Sequence, residues 1–562
     1  MVDLHVHSNC SDGTYSPARL VDYAMEKGLT AFALTDHDCV DGIEEALAHA
    51  GELAKKHGNV PTVIPGVELS TEYEGCDVHI VGLAIDYKNP EFTAYLKQFV
   101  DSRNARNEKM CALLQGAGIS VTYQALKEEN PGAVITRAHY AKYLLDHGYI
   151  KSRKEAFDRY IGDRCPYFVP REKVSPEMAV DLILKAGGIP VLAHPILYRM
   201  SDERLETLVS RLKAMGLVGI EAVYSTYTAG EERSIRRLAD KYHLRISGGS
   251  DFHGDNKPGL DLGCGYGRLN VPDEVWTNLE ESRKNLLFTD MDGTLLRNDS
   301  TLSPAMKDAL DRMTQAGHRL ILSSGRPLPS ILEVRREAGL EFPNMCIIAN
   351  NGALVYDCDH KKALLEYKVS GADAAYIVEK AKEAGIHIHG YTASKIVCYG
   401  KNAEIEYYTR RIHLPLKCVD DLAQVLSEGS YKLQLIHLTD RTVLERFREN
   451  LLAGSDLGER LQFIFSNDKY LEILPKEAGK GNALRFVTDT LSVLRTHTYA
   501  AGDEENDISM LEAAHIGIAM ANATETVKQH ADIITQRSNQ EDGLLEIIAS
   551  MLSPGPKKLL PG

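Results

Sequence analysis

Short apolar runs alternate with amphipathic segments along the chain. In the first half, runs rich in aliphatic residues predict strands at Val2–Val6, Ala31–Thr35, Val60–Val67, Val78–Ile85, Ile189–Ala193, Gly219–Val223 and Leu244–Ser247. Segments such as Pro17–Lys27 and Glu44–His57 lie between these runs and show helical periodicity. This alternation of strands and helices predicts a parallel, barrel-like α/β fold.

The alternation restarts near the midpoint of the chain with the apolar run Leu286–Thr289, which leads into Asp290 and Asp292. A buried parallel strand there would deliver two carboxylates to its C-terminal edge, where α/β folds bind ligands. Later segments continue the same series, at Arg319–Leu322, Cys346–Ala349, Glu472–Pro475 and Tyr499–Ala501. Residues 357–465 contain further strand-like runs and helices, which indicate a separate inserted unit.

Length and composition limit the possible architectures. At 562 residues the chain is too long for one core, so we expect a first domain over 1–284, a second over 285–552 and a disordered tail over 553–562. No run of eighteen apolar residues occurs and the start lacks an apolar signal segment, so we expect a cytoplasmic protein with no membrane span. The ten cysteines form no Cys-x-x-Cys pair, which favours reduced thiols.

Charge excludes one class of partner. The net charge is −15, and both halves are acidic, so neither half is expected to bind polyanions in general and no DNA partner is predicted. Residues 101–175 depart from this balance because they hold more Lys and Arg than Asp and Glu. This local basicity is compatible with guiding an anionic substrate, and equally with a solvated helical face.

Metal-ligating side chains gather at the ends of the predicted strands of the first half. They are six histidines and three carboxylates: His5, His7, Asp12, His37, Glu68, His79, His194, Asp251 and His253. Because the strands of a barrel converge at one face, these side chains are expected to converge too. Imidazole together with carboxylate suits Mn²⁺, Fe²⁺ or Zn²⁺, and this number of ligands suits two or three ions. We therefore expect the first half to hydrolyse phosphoesters with metal-activated water.

In this order the motifs resemble those of the PHP (polymerase and histidinol phosphatase) domain, over about residues 1–280. That family consists of metal-dependent phosphoesterases with a distorted (β/α)₇ barrel, and the resemblance implies three ions. The resemblance assigns His5, His7, Glu68 and Asp251 to the first ion. Glu68 would bridge to the second ion, which His79 and His194 would also bind. The third ion would be bound by Asp12, His37 and His253.

A predicted helical insertion at about 100–170 resembles one branch of this family. The matching residues include Ile135-Thr-Arg137-Ala-His139 and Tyr160-Ile161-Gly162. Members of that branch hydrolyse the 3′-phosphate of 3′,5′-bisphosphonucleotides or act as 5′→3′ exoribonucleases on short RNA. The resemblance makes Arg137 and His139 candidates for holding a substrate phosphate. A helix start packed against the barrel is the alternative explanation for both.

The second half presents the groups that phosphoryl transfer needs: a carboxylate nucleophile, an acid/base, cationic phosphate clamps and Mg²⁺ ligands. Ordered motifs supply them, in Asp290-Met-Asp292-Gly-Thr294, Ser324-Gly-Arg326, Lys480-Gly481 and Gly502-Asp503-x-x-Asn506-Asp507. These motifs resemble the Cof-type branch of the haloacid dehalogenase (HAD) superfamily. The resemblance implies a Rossmann-like core and, over about 357–465, an α+β cap domain that selects the substrate.

The resemblance also implies a role for each motif residue. Asp290 is the expected nucleophile, which becomes an aspartyl phosphate, and Asp292 is the expected acid/base. Ser324 and Lys480 would hold the phosphoryl group. The expected Mg²⁺ site and its supporting residues are Asp290, Asp292, Asp503, Asn506 and Asp507.

The two halves together predict a bifunctional phosphohydrolase that acts on small phosphorylated substrates. The first half would act on nucleotide bisphosphates with Mn, Fe or Zn, and the second on a small phosphorylated metabolite with Mg²⁺. One alternative is a 5′→3′ exoribonuclease acting on short RNA, with the second half auxiliary. Another is a ligand-binding regulator with one inactive half, although intact residue sets in both halves argue against it. The sequence leaves the oligomeric state and the second substrate open.

Overall fold

The structure, a computed structural model, describes residues 1–162, 165–169, 174–392, 394–410 and 414–552, apart from the side chains of residues 466 and 467. It divides the chain into two compact units, Met1–Arg283 and Lys284–Gly562. The predicted disordered tail at 553–562 lies outside the described residues. None of the helices described is long and apolar enough to cross a bilayer.

One sheet of seven strands forms the centre of the first unit, with neighbours in sequence order. Its strands are β1 (Val2–Val6), β2 (Ala31–Leu34), β3 (Thr62–Tyr73), β4 (Cys76–Leu83), β5 (Ile189–Leu192), β6 (Gly219–Tyr224) and β7 (Arg245–Gly249). All neighbours are parallel except β4, which runs antiparallel to β3 and β5. The backbone N–H of Asp251 donates to the carbonyl of His5, and the backbone N–H of His7 donates to the carbonyl of Phe252. These bonds join the end of β7 to β1, so the predicted distorted α/β barrel is confirmed.

Helices of the first unit cover the barrel or form the insertion between β4 and β5. They are α1 (Pro17–Glu26), α2 (Ile43–Ala54), α3 (Pro90–Gly116), α4 (Tyr123–Glu129), α5 (Arg137–Asp146), α6 (Arg153–Arg159), α7 (Pro176–Lys185), α8 (Asp202–Met215), α9 (Ala229–Lys241) and α10 (Asp273–Glu280). Polar N-caps start most of them; the Ser16 hydroxyl, for example, accepts the backbone N–H of Arg19 at the start of α1.

Helix α3 belongs to two hydrophobic cores. Its first half buries Phe92 and Phe99 against the barrel, whereas its second half buries Met110 and Leu114 with α4, α5 and α6. The side chain of Asn89 caps its first turn. The helical insertion therefore begins before the predicted start near residue 100, because one continuous helix serves both the barrel and the insertion.

The second unit contains two sheets. Its strands are β8 (Leu286–Thr289), β9 (Arg319–Ser323), β10 (Cys346–Ala349), β11 (Leu354–Asp357), β12 (Lys362–Glu366), β13 (His387–Tyr391), β14 (Ile396–Cys398), β15 (Leu416–Cys418), β16 (Leu433–Ile436), β17 (Leu461–Asn467), β18 (Tyr470–Pro475), β19 (Thr498–Gly502), β20 (Ile516–Ala519) and β21 (Ile533–Ile534). The core sheet has the order β12-β11-β10-β9-β8-β19-β20-β21, and the cap sheet has the order β15-β14-β13-β16-β18-β17. The core sheet is parallel from β10 to β21, as expected for a Rossmann-like core.

Helices cover both sheets of the second unit. They are α11 (Pro304–Gln315), α12 (Leu328–Glu337), α13 (Gly371–Glu383), α14 (Ala403–Thr409), α15 (Leu422–Val425), α16 (Arg441–Ala453), α17 (Leu457–Arg460), α18 (Lys480–Thr490), α19 (Ile508–Ala513), α20 (Glu525–Gln529) and α21 (Leu545–Leu552). The core sheet and its helices share one apolar cluster, and α13 and α16 pack with the cap sheet around another.

Two segments lie in a different sheet from the one expected. Strand β12 falls within the predicted cap range of about 357–465 but pairs with β11 in the core sheet. The sequence pattern groups Glu472–Pro475 with the core strands, but these residues belong to β18, which pairs with β16 and β17 in the cap sheet. The predicted cap range of about 357–465 therefore stops short of this strand. The reason is that strand pairing is a long-range property, and an apolar run that precedes a core motif carries no information about its sheet.

Candidate active sites

The strands of the barrel bring all nine candidate ligands of the first unit to one end. His5 lies in β1, Glu68 in β3 and His79 in β4. The other ligands stand in the loops that follow β1, β2, β5 and β7, and they are His7, Asp12, His37, His194, Asp251 and His253. All are buried except His79, which is half-buried. This convergence follows from the barrel, because strands wrapped around one axis end close together.

Two of these ligands sit on backbone conformations that side chains rarely adopt. The φ angle is +27° at His194 and +58° at Asp251. Local hydrogen bonds hold both residues: the N–H of His194 donates to Glu221 Oε2 at 2.8 Å, and the N–H of Asp251 donates to the His5 carbonyl at 2.9 Å. Such strain is concentrated at functional sites, where the surrounding structure imposes it.

Glu68 is the centre of the cluster. Its two carboxylate oxygens lie between 2.8 and 3.3 Å from ring nitrogens of five histidines, which are His5, His7, His37, His79 and His194. Burial alone would raise the pKa of the Glu68 carboxyl, but the surrounding imidazoles, led by His37 and His5, hold it well below its usual range. The carboxylate therefore stays charged and bridges both sides of the site.

Asp12, Asp251 and His253 form a second group of contacts within the cluster. His253 Nε2 lies 3.1 Å from Asp12 Oδ1, and His253 Nδ1 lies 3.3 Å from Asp251 Oδ1. His7 connects this group to Glu68, because its Nε2 is 3.3 Å from both Asp251 Oδ1 and Glu68 Oε2. Burial disfavours a protonated His7, yet Asp251 and Glu68 outweigh it and raise the pKa of His7 to about 9.

The donor set fits transition-metal ions. Ring nitrogens of His5, His7 and His37 and one oxygen of Asp12 are buried without a hydrogen-bond partner in the described part of the chain, and such atoms call for an explanation such as an ion. The ligand atoms form overlapping groups within 4.8 Å: His7, Asp12, His37 and His253; His5, His7 and Asp251; His5, Glu68 and His194; His37, Glu68 and His79. The grouping differs from the one implied by resemblance, since His7 also joins the Asp12 group and His5 also joins His194.

Residues behind the ligands escaped the sequence analysis. Glu221 is buried in β6 and contacts His5 Nδ1 at 3.2 Å, in addition to its bond to His194. The Asp36 carboxylate accepts hydrogen bonds from the hydroxyls of Ser8 and Ser11 at 2.6 and 2.5 Å, which fixes the loop after β1. Such groups orient metal ligands. The sequence signal that could have identified Glu221 is a carboxylate inside the otherwise apolar strand β6.

Arg137 and His139 start helix α5. Arg137 lines the same cavity as the ligands, and its Nη2 donates to Asp77 Oδ2 at 2.7 Å. The ring of His139 accepts the N–H of Thr136 at 2.9 Å and completes a capping box. His139 is thus occupied with the helix start, which matches the alternative reading of this residue. Thr136 makes the link to the site, since its hydroxyl donates to Asp12 Oδ2 at 2.7 Å.

A cavity of about 390 Å³ opens over the cluster. Its wall carries five basic side chains beside the carboxylates. Arg103, Arg106, Arg137 and Arg153 come from the insertion, and Lys257 comes from the loop after β7. Arg103 is held by the buried Asp38 at 2.8 Å. The volume falls within the range of small-ligand sites. A cationic wall beside a metal-ligand cluster suits an anionic, phosphorylated ligand.

In the second unit, Lys480 lies fully buried between two carboxylates. Its Nζ donates to Asp290 Oδ1 and to Asp507 Oδ1, at 2.6 Å each. Burial opposes the charge of the lysine, but both carboxylates raise the pKa of Lys480 above its usual value. Asp507 also accepts the backbone N–H of Asp503 at 3.1 Å. Lys480 therefore stays protonated beside the candidate nucleophile.

Asp290, Asp503 and Asp507 offer carboxylate oxygens within 4.8 Å of one another. Burial, with Asp507 nearby, raises the pKa of Asp503 to about 6, although a hydrogen bond of 2.7 Å from Thr294 opposes the rise. Three carboxylates against one lysine leave negative charge unbalanced, and oxygen-only ligands suit Mg²⁺. The set thus fits the expected ion.

Asp292 lies outside this carboxylate group. Arg326 binds it with two parallel hydrogen bonds, from Nε to Oδ2 at 2.6 Å and from Nη2 to Oδ1 at 2.7 Å. The sequence analysis placed Asp292 in both the acid/base role and the metal set. The structure pairs it with the guanidinium fork instead of with the other carboxylates, which is the geometry that Arg and carboxylate prefer.

Ser324 and Asn506 occupy two loops near this cluster. Ser324 is buried directly after β9, and its hydroxyl accepts the N–H of Arg326 at 3.1 Å. Asn506 donates from Nδ2 to Asn351 Oδ1 at 3.1 Å, and Asn351 in turn donates to Glu472 of the cap at 3.3 Å. Asn506 thus reaches the cap through Asn351, a connection that the motifs alone did not indicate.

Comparison with protein families assigns both units. A model of the PHP domain matches residues 3–158, and a model described as haloacid dehalogenase-like hydrolase matches residues 287–548. Both matches agree with the resemblances drawn from the motifs, and they confirm hydrolase families in both units.

Individual relatives cover one unit each. The first unit is 39% identical over 251 residues to a 5′-3′ exoribonuclease of Haemophilus influenzae. The aligned region covers 45% of this chain and 89% of that relative. The first unit is also 35% identical over 281 residues to a 3′,5′-nucleoside bisphosphate phosphatase of Chromobacterium violaceum. That alignment covers 50% of this chain and 96% of the relative. A solved haloacid dehalogenase-like hydrolase of Bacteroides thetaiotaomicron is 26% identical, covers 48% of this chain and 100% of its own, and has a TM-score of 0.44.

Proposed function

Because the chain belongs to the PHP family through its first unit and carries a haloacid dehalogenase-like hydrolase as its second, we propose that it is a bifunctional phosphohydrolase. The first unit hydrolyses nucleotides that carry a 3′-phosphate and a 5′-phosphate. The second removes a phosphate from a small phosphorylated metabolite through an aspartyl phosphate. The two reactions use separate sets of residues.

Two or three Mn, Fe or Zn ions are the proposed cofactors of the first unit, held by the cluster around Glu68. When bound, divalent ions there would lower the pKa of a bound water and would offset charge on the phosphoryl oxygens. The protein contributes the rest. Glu221 fixes the orientation of His5, and Thr136 fixes Asp12. The arginines of the cavity wall attract the phosphates and favour a substrate with more than one.

The single observation that carries the proposal for this unit is the cluster and its basic wall within one cavity. A metal cluster alone would serve many phosphoesters, whereas the added cationic wall selects a second phosphate. The Chromobacterium violaceum relative, by its name, acts on such a nucleotide.

A comparison of three substrates tests this assignment. The full chain, reconstituted with Mn²⁺, is given adenosine 3′,5′-bisphosphate, a short 5′-phosphorylated RNA and an aryl phosphate. We expect kcat/KM for the bisphosphate to exceed that for the aryl phosphate by at least about 100-fold, on the order of what two lost charge-assisted contacts cost. Equal values would refute the nucleotide assignment.

A second candidate function for the first unit is 5′→3′ exoribonuclease activity. It is favoured by the Haemophilus influenzae relative, which carries that name and the higher identity of the two. The same comparison distinguishes the two candidates. Faster release of mononucleotides from RNA than of phosphate from the bisphosphate would make the nuclease the main activity.

For the second unit we propose covalent catalysis by Asp290. Its carboxylate attacks the phosphorus and the bond to the leaving oxygen breaks. Asp292, protonated and released from Arg326 when substrate binds, gives that oxygen a proton. Asp292, now ionised and held by Arg326, then takes a proton from the water that hydrolyses the aspartyl phosphate. Lys480 and Ser324 hold the phosphoryl group. Asp290 and Asp503 would hold Mg²⁺, which would offset the charge of that group.

A screen of phosphorylated metabolites with Mg²⁺ tests the second proposal and identifies the substrate. Brief incubation with a labelled substrate followed by an acid quench should leave label on the wild-type chain and none on the Asp290→Ala variant. Label on the variant would contradict the assignment of the nucleophile.

A further inference from the structure

Two exposed apolar side chains line the cavity of the first unit. Phe157 and Leu197 are 40% and 47% exposed, respectively, and both belong to the wall that also carries the metal ligands and the arginines. Scattered exposed apolar residues are ordinary on a protein surface. Two of them in the cavity that also holds the metal-ligand cluster are not ordinary, because neither phosphate nor metal binding needs them.

Phe157 stands on helix α6 of the insertion, and its surroundings fix its place in the wall. The Arg137 guanidinium lies 6.0 Å from the centre of its ring, and Asp77 holds that arginine. Arg153, one turn earlier, donates to Asn256 Oδ1 at 3.1 Å and so ties α6 to the loop after β7. The ring is therefore set beside a cation, with its exposed part available to a ligand in the cavity.

Leu197 stands on the short turn Pro195–Tyr198, directly after the ligand His194. The N–H of Leu197 donates to the His194 carbonyl at 2.9 Å. The Tyr198 hydroxyl donates to the carbonyl of Ala193 and lies 3.2 Å from that of His79. The turn is pinned on both sides, so Leu197 is a fixed apolar contact next to the metal ligands.

We propose that Phe157 and Leu197 contact the base of a bound nucleotide. A nucleotide joins a flat apolar base to charged phosphates, and this cavity joins two apolar side chains to a cationic wall and a metal-ligand cluster. Its volume of about 390 Å³ is in the range of small-molecule sites. Aromatic and apolar contacts to a base are tolerant of base identity, since every base has an apolar face. The site therefore accepts any of the bases and rejects base-free sugar phosphates.

This inference rests on the proposed function of the first unit, and paired substrates separate the two. Adenosine 3′,5′-bisphosphate is compared with methyl riboside 3,5-bisphosphate, which keeps both phosphates and lacks the base. Wild-type full chain is expected to show a KM about 100-fold lower for the nucleotide, the combined effect of two base contacts of about tenfold each. If the wild type hydrolyses neither compound, the proposed function fails, and so does this inference.

Phe157→Ala and Leu197→Ala provide the direct test. Each is expected to raise KM for the nucleotide about tenfold, to leave KM for the base-free compound within twofold, and to change kcat little. Met215→Ala, which removes an exposed apolar side chain on α8 that is absent from the cavity wall, is the matched control and should change neither. An equal rise in KM for both substrates, or no rise for either, would overturn the base contact while leaving the proposed function standing.

Discussion

At the scale of single residues, Glu68 is the central carboxylate of the proposed metal site in the first unit. Five imidazoles lie around its buried carboxylate, and the glutamate supplies a negative charge that imidazole rings cannot supply. A cation held there gains from this charge in an environment of low dielectric constant. The residue was identifiable from the sequence, because a glutamate that interrupts an apolar strand is costly unless it is paired.

The Glu68→Gln variant should therefore lose metal while keeping its shape. We expect the bound Mn, Fe and Zn per chain to fall at least twofold and the activity of the first unit to fall more than about 100-fold. Elemental analysis and a bisphosphonucleotide assay measure the two effects. Glu52→Gln, an exposed change on α2, is the control. Wild-type metal content in Glu68→Gln would show that this carboxylate is not a ligand.

Thr136 offers a subtler test, because its hydroxyl both caps α5 and holds Asp12. Thr136→Val should weaken metal binding about 10- to 100-fold, as loss of a ligand-orienting partner typically does. A chelator competition titration measures this change. Thr122→Val removes the equivalent cap of α4 and costs about the same stability, but it should leave metal affinity unchanged. An equal loss of metal affinity in Thr136→Val and Thr122→Val would mean that the substitution acts only through the stability of the fold.

Other residue roles could not be derived from the sequence. Asp290 and Asp292 are two positions apart, yet one joins the carboxylate group and the other pairs with Arg326. The partner of each depends on a residue far along the chain, and motif spacing does not encode it. The same holds for His139, whose ring serves the start of its own helix.

At the scale of elements, hydrophobic patterning located the strands well and their neighbours less well. The predicted barrel strands appear within about two residues of their observed ends, because each buried strand needs an apolar run between polar loops. The exception is β3, which continues past the predicted end at Val67 to Tyr73. The reversed direction of β4 follows from a tight turn at Glu74 and Gly75, which both have positive φ. The assignment of β18 to the cap needed the structure, since periodicity does not identify a strand's partners.

The cap strands β16 and β18 are joined by a buried ion pair, Lys432 and Glu472, at 3.1 Å. Lys432→Met should lower the free energy of unfolding by about 3–5 kcal/mol, because it leaves a carboxylate buried without its cation. Urea denaturation measures the change. Lys380→Met breaks an exposed pair on α13 and should cost less than about 1 kcal/mol. Similar small losses for both variants would contradict the burial of the cap pair.

At the scale of the whole molecule, the residues proposed for each reaction lie within one unit. The ligands of the first cluster all precede residue 284, and the carboxylates and lysine of the second all follow it. The first set combines imidazole with carboxylate, and the second has oxygen ligands only. The sequence could predict this division, because each motif series is complete within its own half. It left the substrate of the second unit open.

The central claim is that the chain holds two phosphohydrolase sites that work independently. The most direct test measures both activities in full-length Asp290→Asn and His7→Ala, after circular dichroism has shown that each variant is folded. Asp290→Asn should lose the Mg²⁺-dependent monophosphatase activity by about 10⁴-fold and keep bisphosphonucleotide hydrolysis within a few-fold. His7→Ala should show the reverse. Loss of both activities in either folded variant would contradict the account, because it would mean that the two units share a site or a switch.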